Sequence, residues 1–114
     1  MQIEMFEQGR SVVVSPEGPR LDAEVAPAFR DALLKIIENG HGNLIVDLHG
    51  IDFIDSSGLG ALVSAFKRLK GAATEGDIRL ANVQPPVNSV LEIIRLNRVF
   101  TKYPSVDDAV QSYA

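Results

Sequence analysis

The spacing of apolar residues changes several times along the chain, and each change marks a boundary between expected elements. Residues 3–6 and 11–14 are short runs of strand-forming residues around Gln8-Gly9, a pair suited to a tight turn, so a β-hairpin is expected. Ser15-Pro16-Glu17-Gly18-Pro19 then breaks the pattern, because proline lacks a ladder donor. After Leu21-Asp22, where Asp22 is placed to cap, Ala26, Phe29, Leu33, Ile36 and Ile37 recur at helical spacing. Pro27 falls in the first turn of that helix, and Asn39-Gly40 should stop it.

Residues 43–48 have too few polar positions for a strand wet on one face, which predicts a central strand. Leu59, Leu62, Val63, Phe66 and Leu69 form the apolar stripe of a second helix, followed by a loop bracketed by Gly71 and Gly76. Strand character returns at 78–83 and stops at Pro85-Pro86. Val87, Val90, Leu91 and Ile94 predict a third helix, and 99–103 a last short strand. Ser105 followed by Asp108 fits a capping box, opening a terminal helix with Val106, Ala109, Val110 and Tyr113 on one face.

Strands alternating with helices in this order predict an α/β fold, a mostly parallel mixed sheet of about five strands with about four helices and an antiparallel edge from the hairpin. No internal repeat is present. Functional residues in such sheets gather where strands end and helices begin. Asp22 and Ser56 both fall at such positions, and they should lie near one another at one end of the sheet.

Length and charge narrow the function. The 114 residues fit a single domain spanning 1–114. A net charge of -4, from 15 acidic and 11 basic residues, provides no basic stripe for a phosphate backbone, so nucleic acid is not an expected partner. No window resembles a membrane span, and Met1-Gln2-Ile3-Glu4-Met5 lacks the layout of a signal peptide. Cysteine is absent, which removes disulfides and thiolate chemistry. A cytoplasmic domain without membrane insertion is the expectation.

The most informative stretch is Ile51-Asp52-Phe53-Ile54-Asp55-Ser56-Ser57-Gly58-Leu59-Gly60, where an apolar strand gives way to the second helix. The first amides of a helix lack intrahelical partners and carry the positive end of its dipole, so a hydroxyl or a phosphate is favoured there. Plain capping by Asp55, Ser56 or Ser57 is the ordinary explanation of such residues.

Enzyme chemistry finds little footing. Asp47, His49, Asp52 and Asp55 are acidic residues around one histidine, but neither His41 nor His49 has ligand spacing, and they read as solvated loop residues. Asp47 at a strand end suggests a phospho-accepting receiver aspartate, but the N-terminus lacks the acidic pair that such a site needs. Asp55-Ser56-Ser57-Gly58 is not G-x-S-x-G. Gly58-Leu59-Gly60 begins a dinucleotide fingerprint, but Val63 occupies its third glycine position, and a Walker loop is absent. Neither an enzyme nor a cofactor or metal site is expected.

Asp55-Ser56-Ser57-Gly58-Leu59-Gly60, preceded by Ile51-Asp52-Phe53-Ile54, resembles the signature of STAS-domain anti-sigma factor antagonists of bacterial partner-switching pathways. Arg20-Leu21-Asp22 is similar to the family's approach to its first helix. Leu96-Asn97-Arg98-Val99-Phe100 with Ser105-Val106-Asp107-Asp108-Ala109 is similar to its close, so the likeness covers essentially the whole chain.

The resemblance implies that Ser56 is the phosphorylated residue, that Ser57 is a neighbouring cap, and that Asp22, Asp55, Ser56, Ser57, Gly58, Leu59 and Gly60 form the partner-binding surface. It also implies a switch. The unphosphorylated protein binds an anti-sigma factor that is a serine kinase, freeing a sigma factor. Phosphorylation by that kinase ends binding, and a metal-dependent serine phosphatase restores it. The alternative is a constitutive STAS subunit of a transporter, signalling or lipid-transport complex. One departure stands out: Pro19 replaces the family's usual glycine before Arg20-Leu21-Asp22, and proline fixes φ and removes a donor beside Asp22.

Overall fold

The computed structural model describes residues 2–72 and 76–114. Strands β1 (Ile3–Gln8) and β2 (Ser11–Pro16) form the expected hairpin, turning through Gly9 at φ +60°. The main sheet has five strands in the order β1-β2-β4-β6-β7, with β4 at Asn43–Asp47, β6 at Asp77–Ala81 and β7 at Lys102–Tyr103. Only the β1–β2 pair is antiparallel. This is the mixed, mostly parallel α/β sheet that the alternation of patterns predicts.

The strand pleat divides the core in two. Val12, Val14, Leu44, Val46, Ile78 and Leu80 face the larger core, shared with α1 (Ala26–Glu38), α2 (Ser56–Gly71) and α3 (Pro85–Ile93). Val13, Ile45 and Ala81 face the other side, where α4 (Val106–Ser112) covers them with Ala109. The predicted buried face of α1 is the observed one: Ala26, Phe29, Leu33, Ile36 and Ile37. Ser105 accepts the Asp108 amide at 3.1 Å, the serine half of the predicted capping box.

Several expectations change in detail. Helix α1 starts at Ala26, after Val25, without a side-chain cap, so Asp22 does not cap it. Asp22 instead closes a turn ahead of the helix, its carboxylate accepting the Glu24 amide and its carbonyl the amides of Val25 and Ala26. Pro85 and Pro86 both end the preceding strand pattern and begin α3, where their missing N–H groups cost nothing. The strand expected over 99–103 shortens to β7, because a 3₁₀ turn at Leu96–Arg98 swings Phe100 into the core. There its ring meets Phe66 edge-on, with centroids 5.6 Å apart. Ile94, expected on a buried face, is half-exposed at the end of α3. Residues 73–75 of the loop expected between Gly71 and Gly76 lie outside the described residues.

Candidate functional site

A second, two-stranded sheet builds the site. β3 (Arg20–Leu21) pairs in parallel with β5 (Phe53–Ile54), Arg20 opposite Phe53 and Leu21 opposite Ile54. Such short strands fall below any periodic signal, and neither was expected. The Pro19 carbonyl accepts the amides of Asp52 and Phe53 at 2.9 and 3.3 Å, and the Leu21 carbonyl accepts that of Asp55 at 3.4 Å. The segment before α1 is thereby tied to the segment before α2. Asp22 and Asp55 each follow the paired residues Leu21 and Ile54, which brings the two predicted acidic positions to the same end of the molecule.

The start of α2 separates capping from the serines. Asp55 is the N-cap, and its Oδ1 accepts the amides of Ser57 at 2.9 Å and Gly58 at 3.1 Å. Ser56, the first helical residue, is exposed, and Ser57 is half-buried. Neither serine hydroxyl caps the helix, so the expectation that Ser57 is a neighbouring cap is replaced by Asp55 alone. Gly60 is exposed, whereas Gly58 and Leu59 are buried and shape the surface from beneath. A shallow groove of about 300 Å³ runs between α1 and α2 beside the serines, lined by Ala26, Pro27, Arg30, Ser57, Gly60 and Ser64 among others.

Arg20 is a site residue that sequence reasoning missed. Its Nε donates to Asp22 Oδ2 at 3.2 Å, and its guanidinium lies 3.9 Å from the centre of the Phe53 ring. That hydrogen bond from Arg20 is the main reason the Asp22 carboxyl titrates below its ordinary range. Arg20, Asp22 and the partly exposed Phe53 therefore form one charged and aromatic cluster on the strand pair that leads to Ser56.

The histidines are engaged elsewhere: His41 faces Glu7 at 3.7 Å, and His49 Nδ1 faces Asp47 Oδ2 at 2.9 Å. Asp47 corrects its expected description as a solvated loop residue. It is buried at the end of β4 and accepts from the His49 amide, Ser15 Oγ and Asn82 Nδ2 at 3.1, 3.3 and 3.0 Å. Among the described residues no three His, Cys, Asp or Glu side chains gather as metal ligands, and no helix is long and apolar enough to cross a membrane.

A model of the STAS domain family matches residues 2–109. The chain belongs to this family. The STAS chain is 26% identical over 111 residues to the anti-sigma F factor antagonist of Paenibacillus polymyxa, covering 96% of this chain and 92% of the relative. An anti-sigma-factor antagonist (STAS) domain protein from Planctomyces limnophilus superposes with a TM-score of 0.88 at 23% identity, over 98% of this chain and 97% of that one. The STAS fold here also matches the anti-sigma factor antagonist SpoIIAA in its unphosphorylated form, with a TM-score of 0.81 at 22% identity over 98% and 96% of the two chains. The phosphorylated form of that Bacillus protein matches with a TM-score of 0.75 at 21% identity, over 99% and 100%.

Proposed function

We propose that this STAS domain is an anti-sigma factor antagonist switched by phosphorylation of Ser56. In the unphosphorylated state it binds an anti-sigma factor that is also a serine kinase and so releases a sigma factor. The kinase phosphorylates Ser56, the complex separates, and a metal-dependent serine phosphatase resets the switch. The surface offered to the kinase comprises Asp22, Asp55, Ser56, Ser57 and Gly60, supported from below by Gly58 and Leu59. The curated relative that shares nearly the whole length of the chain and is named an anti-sigma factor antagonist supports this reading.

The observation that carries it is the division of labour at the start of α2. Asp55 satisfies the orphan amides, so Ser56 is exposed at the first helical position with no structural duty there. A phosphate on Ser56 brings roughly -1.5 to -2 charges to the positive end of a helix, which the fold can accept. The interface cannot accept it so easily. A partner-held carboxylate about 6 Å away is repelled by roughly 1 to 5 kcal/mol for effective dielectrics from water to protein surface. That range corresponds to about tenfold to several-thousandfold in affinity.

The test is affinity purification of tagged wild type, Ser56→Ala and Ser56→Asp from the native host, with mass spectrometry of the partners and of the Ser56 peptide. The expected result is a kinase-like anti-sigma factor retained by Ser56→Ala and lost by Ser56→Asp, with phosphate on wild-type Ser56. If all three forms recover the same partners and Ser56 is never modified, the chain acts as a constitutive STAS subunit instead.

A further inference from the structure

Arg20 is the only base on the two segments that build the site, residues 17–24 and 52–55, which carry five carboxylates: Glu17, Asp22, Glu24, Asp52 and Asp55. Leu21 and Ile54, opposite one another in the β3–β5 pair, are buried. By strand alternation their neighbours Arg20 and Phe53 project from the other, solvent-facing side. Phe53 is 37% exposed, and its ring lies beneath the Arg20 guanidinium.

Two contacts hold this guanidinium before any partner arrives. The Phe53 ring covers one of its faces at 3.9 Å, and Asp22 Oδ2 accepts its Nε hydrogen at 3.2 Å. The four N–H groups on Nη1 and Nη2 make no hydrogen bond among the described residues, and 56% of the side chain is exposed. An arginine that is already stacked and bonded gives up less freedom on binding than a loose one. Its two Nη groups match the two oxygens of a carboxylate.

We infer that Arg20, stacked on Phe53, is an anchor of the surface offered to the anti-sigma kinase, and that the kinase meets it with a carboxylate set in an otherwise basic face. This rests on the anti-sigma factor antagonist reading given above. The neighbouring acids decide the kind of ligand. A free anion approaching Arg20 also approaches Asp22 and the other carboxylates, which outnumber the single base and repel it. A protein face avoids that repulsion when its own bases meet these carboxylates and one acid meets Arg20. A face of bases alone sets a like charge against Arg20, so the same residue excludes kinases that lack the acid. Arginine and aromatic side chains are also the types enriched at protein interfaces.

The test is isothermal titration calorimetry with the anti-sigma factor that Ser56→Ala recovers. Every form of the chain carries Ser56→Ala, so that no phosphate on Ser56 can occupy Arg20, and circular dichroism checks that each is folded. Arg20→Ala is expected to weaken binding by about 30-fold or more, and Arg20→Glu by more still. Arg20→Lys, which keeps the charge without the paired Nη groups, should fall between the parent and Arg20→Ala. The loss on Arg20→Ala should persist in an Asp22→Ala background, where Arg20 has no Asp22 carboxylate to orient. Neutralising the kinase's exposed acids one at a time should find one whose removal adds nothing to Arg20→Ala, and arginine in place of that acid should restore binding to Arg20→Glu. Undiminished binding by Arg20→Ala and Arg20→Glu, an effect that vanishes in the Asp22→Ala background, or the lack of any coupled acid on the kinase would each overturn the inference and leave the proposed function standing. If Ser56→Ala recovers no anti-sigma factor, the proposed function fails and the inference falls with it.

Discussion

The backbone of Gly58 lies so close to Leu21 that a β-carbon on Gly58 would stand 2.3 Å from the Leu21 carbonyl oxygen and 2.8 Å from an Ile54 side-chain carbon. This contact presses the first turn of α2 onto the β3–β5 pair and thereby sets where Ser56 emerges. Alanine normally stabilises a helix relative to glycine by roughly 0.8–1 kcal/mol. At position 58 the sign should reverse, with Gly58→Ala costing about 1–3 kcal/mol through overpacking against backbone that cannot move aside. Gly60, two residues on, has nothing within 4 Å of its would-be β-carbon. Gly60→Ala should stabilise by about 0.5–1 kcal/mol, and urea unfolding of the two variants should move the midpoint in opposite directions.

Removing the cap and removing the proposed switch should be separable. Asp55→Ala orphans the Ser57 and Gly58 amides and should cost about 0.5–2 kcal/mol in thermal or urea unfolding. Ser56→Ala should change stability by no more than about 0.5 kcal/mol, as expected of an exposed residue outside the cap.

The Arg20–Asp22 contact should be visible as a titration. The Asp22 carboxyl is held below its ordinary range chiefly by the hydrogen bond from Arg20. Its folded-state value is therefore depressed. The stabilisation it provides is present above the unfolded value of about 4 and disappears as pH falls through the lower folded value. NMR titration of the Asp22 carboxyl carbon should show a midpoint that moves upward in Arg20→Ala. An unchanged midpoint would mean that Arg20 does not hold Asp22 in solution.

At the other end of the sheet, Tyr113 Oη lies 2.8 Å from the Leu44 carbonyl and 2.6 Å from that of Asp77, while Arg79 stacks on the ring with its guanidinium 3.9 Å from the centre. Burial pushes the Tyr113 hydroxyl up. A raised acid favours its neutral form in the folded state, so its contribution is intact below the unfolded value of about 10 and is lost as pH rises beyond that. Tyr113→Phe should cost about 0.5–1.5 kcal/mol at neutral pH. The gap between wild type and the variant should narrow above about pH 10, as checked by urea unfolding across the alkaline range.

The strand–helix alternation, the buried face of α1, the Ser105 cap and the serine-bearing start of α2 were legible in the sequence, because each depends on residues a few positions apart. Period, capping chemistry and turn residues act locally, and the chain states them directly. The resemblance carried by residues 51–60 is local in the same sense, since a helix start is written in consecutive residues.

What only the tertiary structure decided depends on partners distant in sequence. β3 and β5 are two residues each and exist because the Pro19 and Leu21 carbonyls find amides more than 30 positions away. The same pairing lays the Arg20 guanidinium over Phe53. Asp47, expected in solvent, is buried at the end of β4, where Ser15 and Asn82 reach it from two distant segments beside its near neighbour His49. Phe100 leaves its expected strand because burial against Phe66 outweighs the weak strand preference of a short run. The sequence by itself determined the hairpin, the central strands and the four helices, and where the serine stands. Folding decided which residues surround it, because burial and hydrogen bonding are satisfied by neighbours in space.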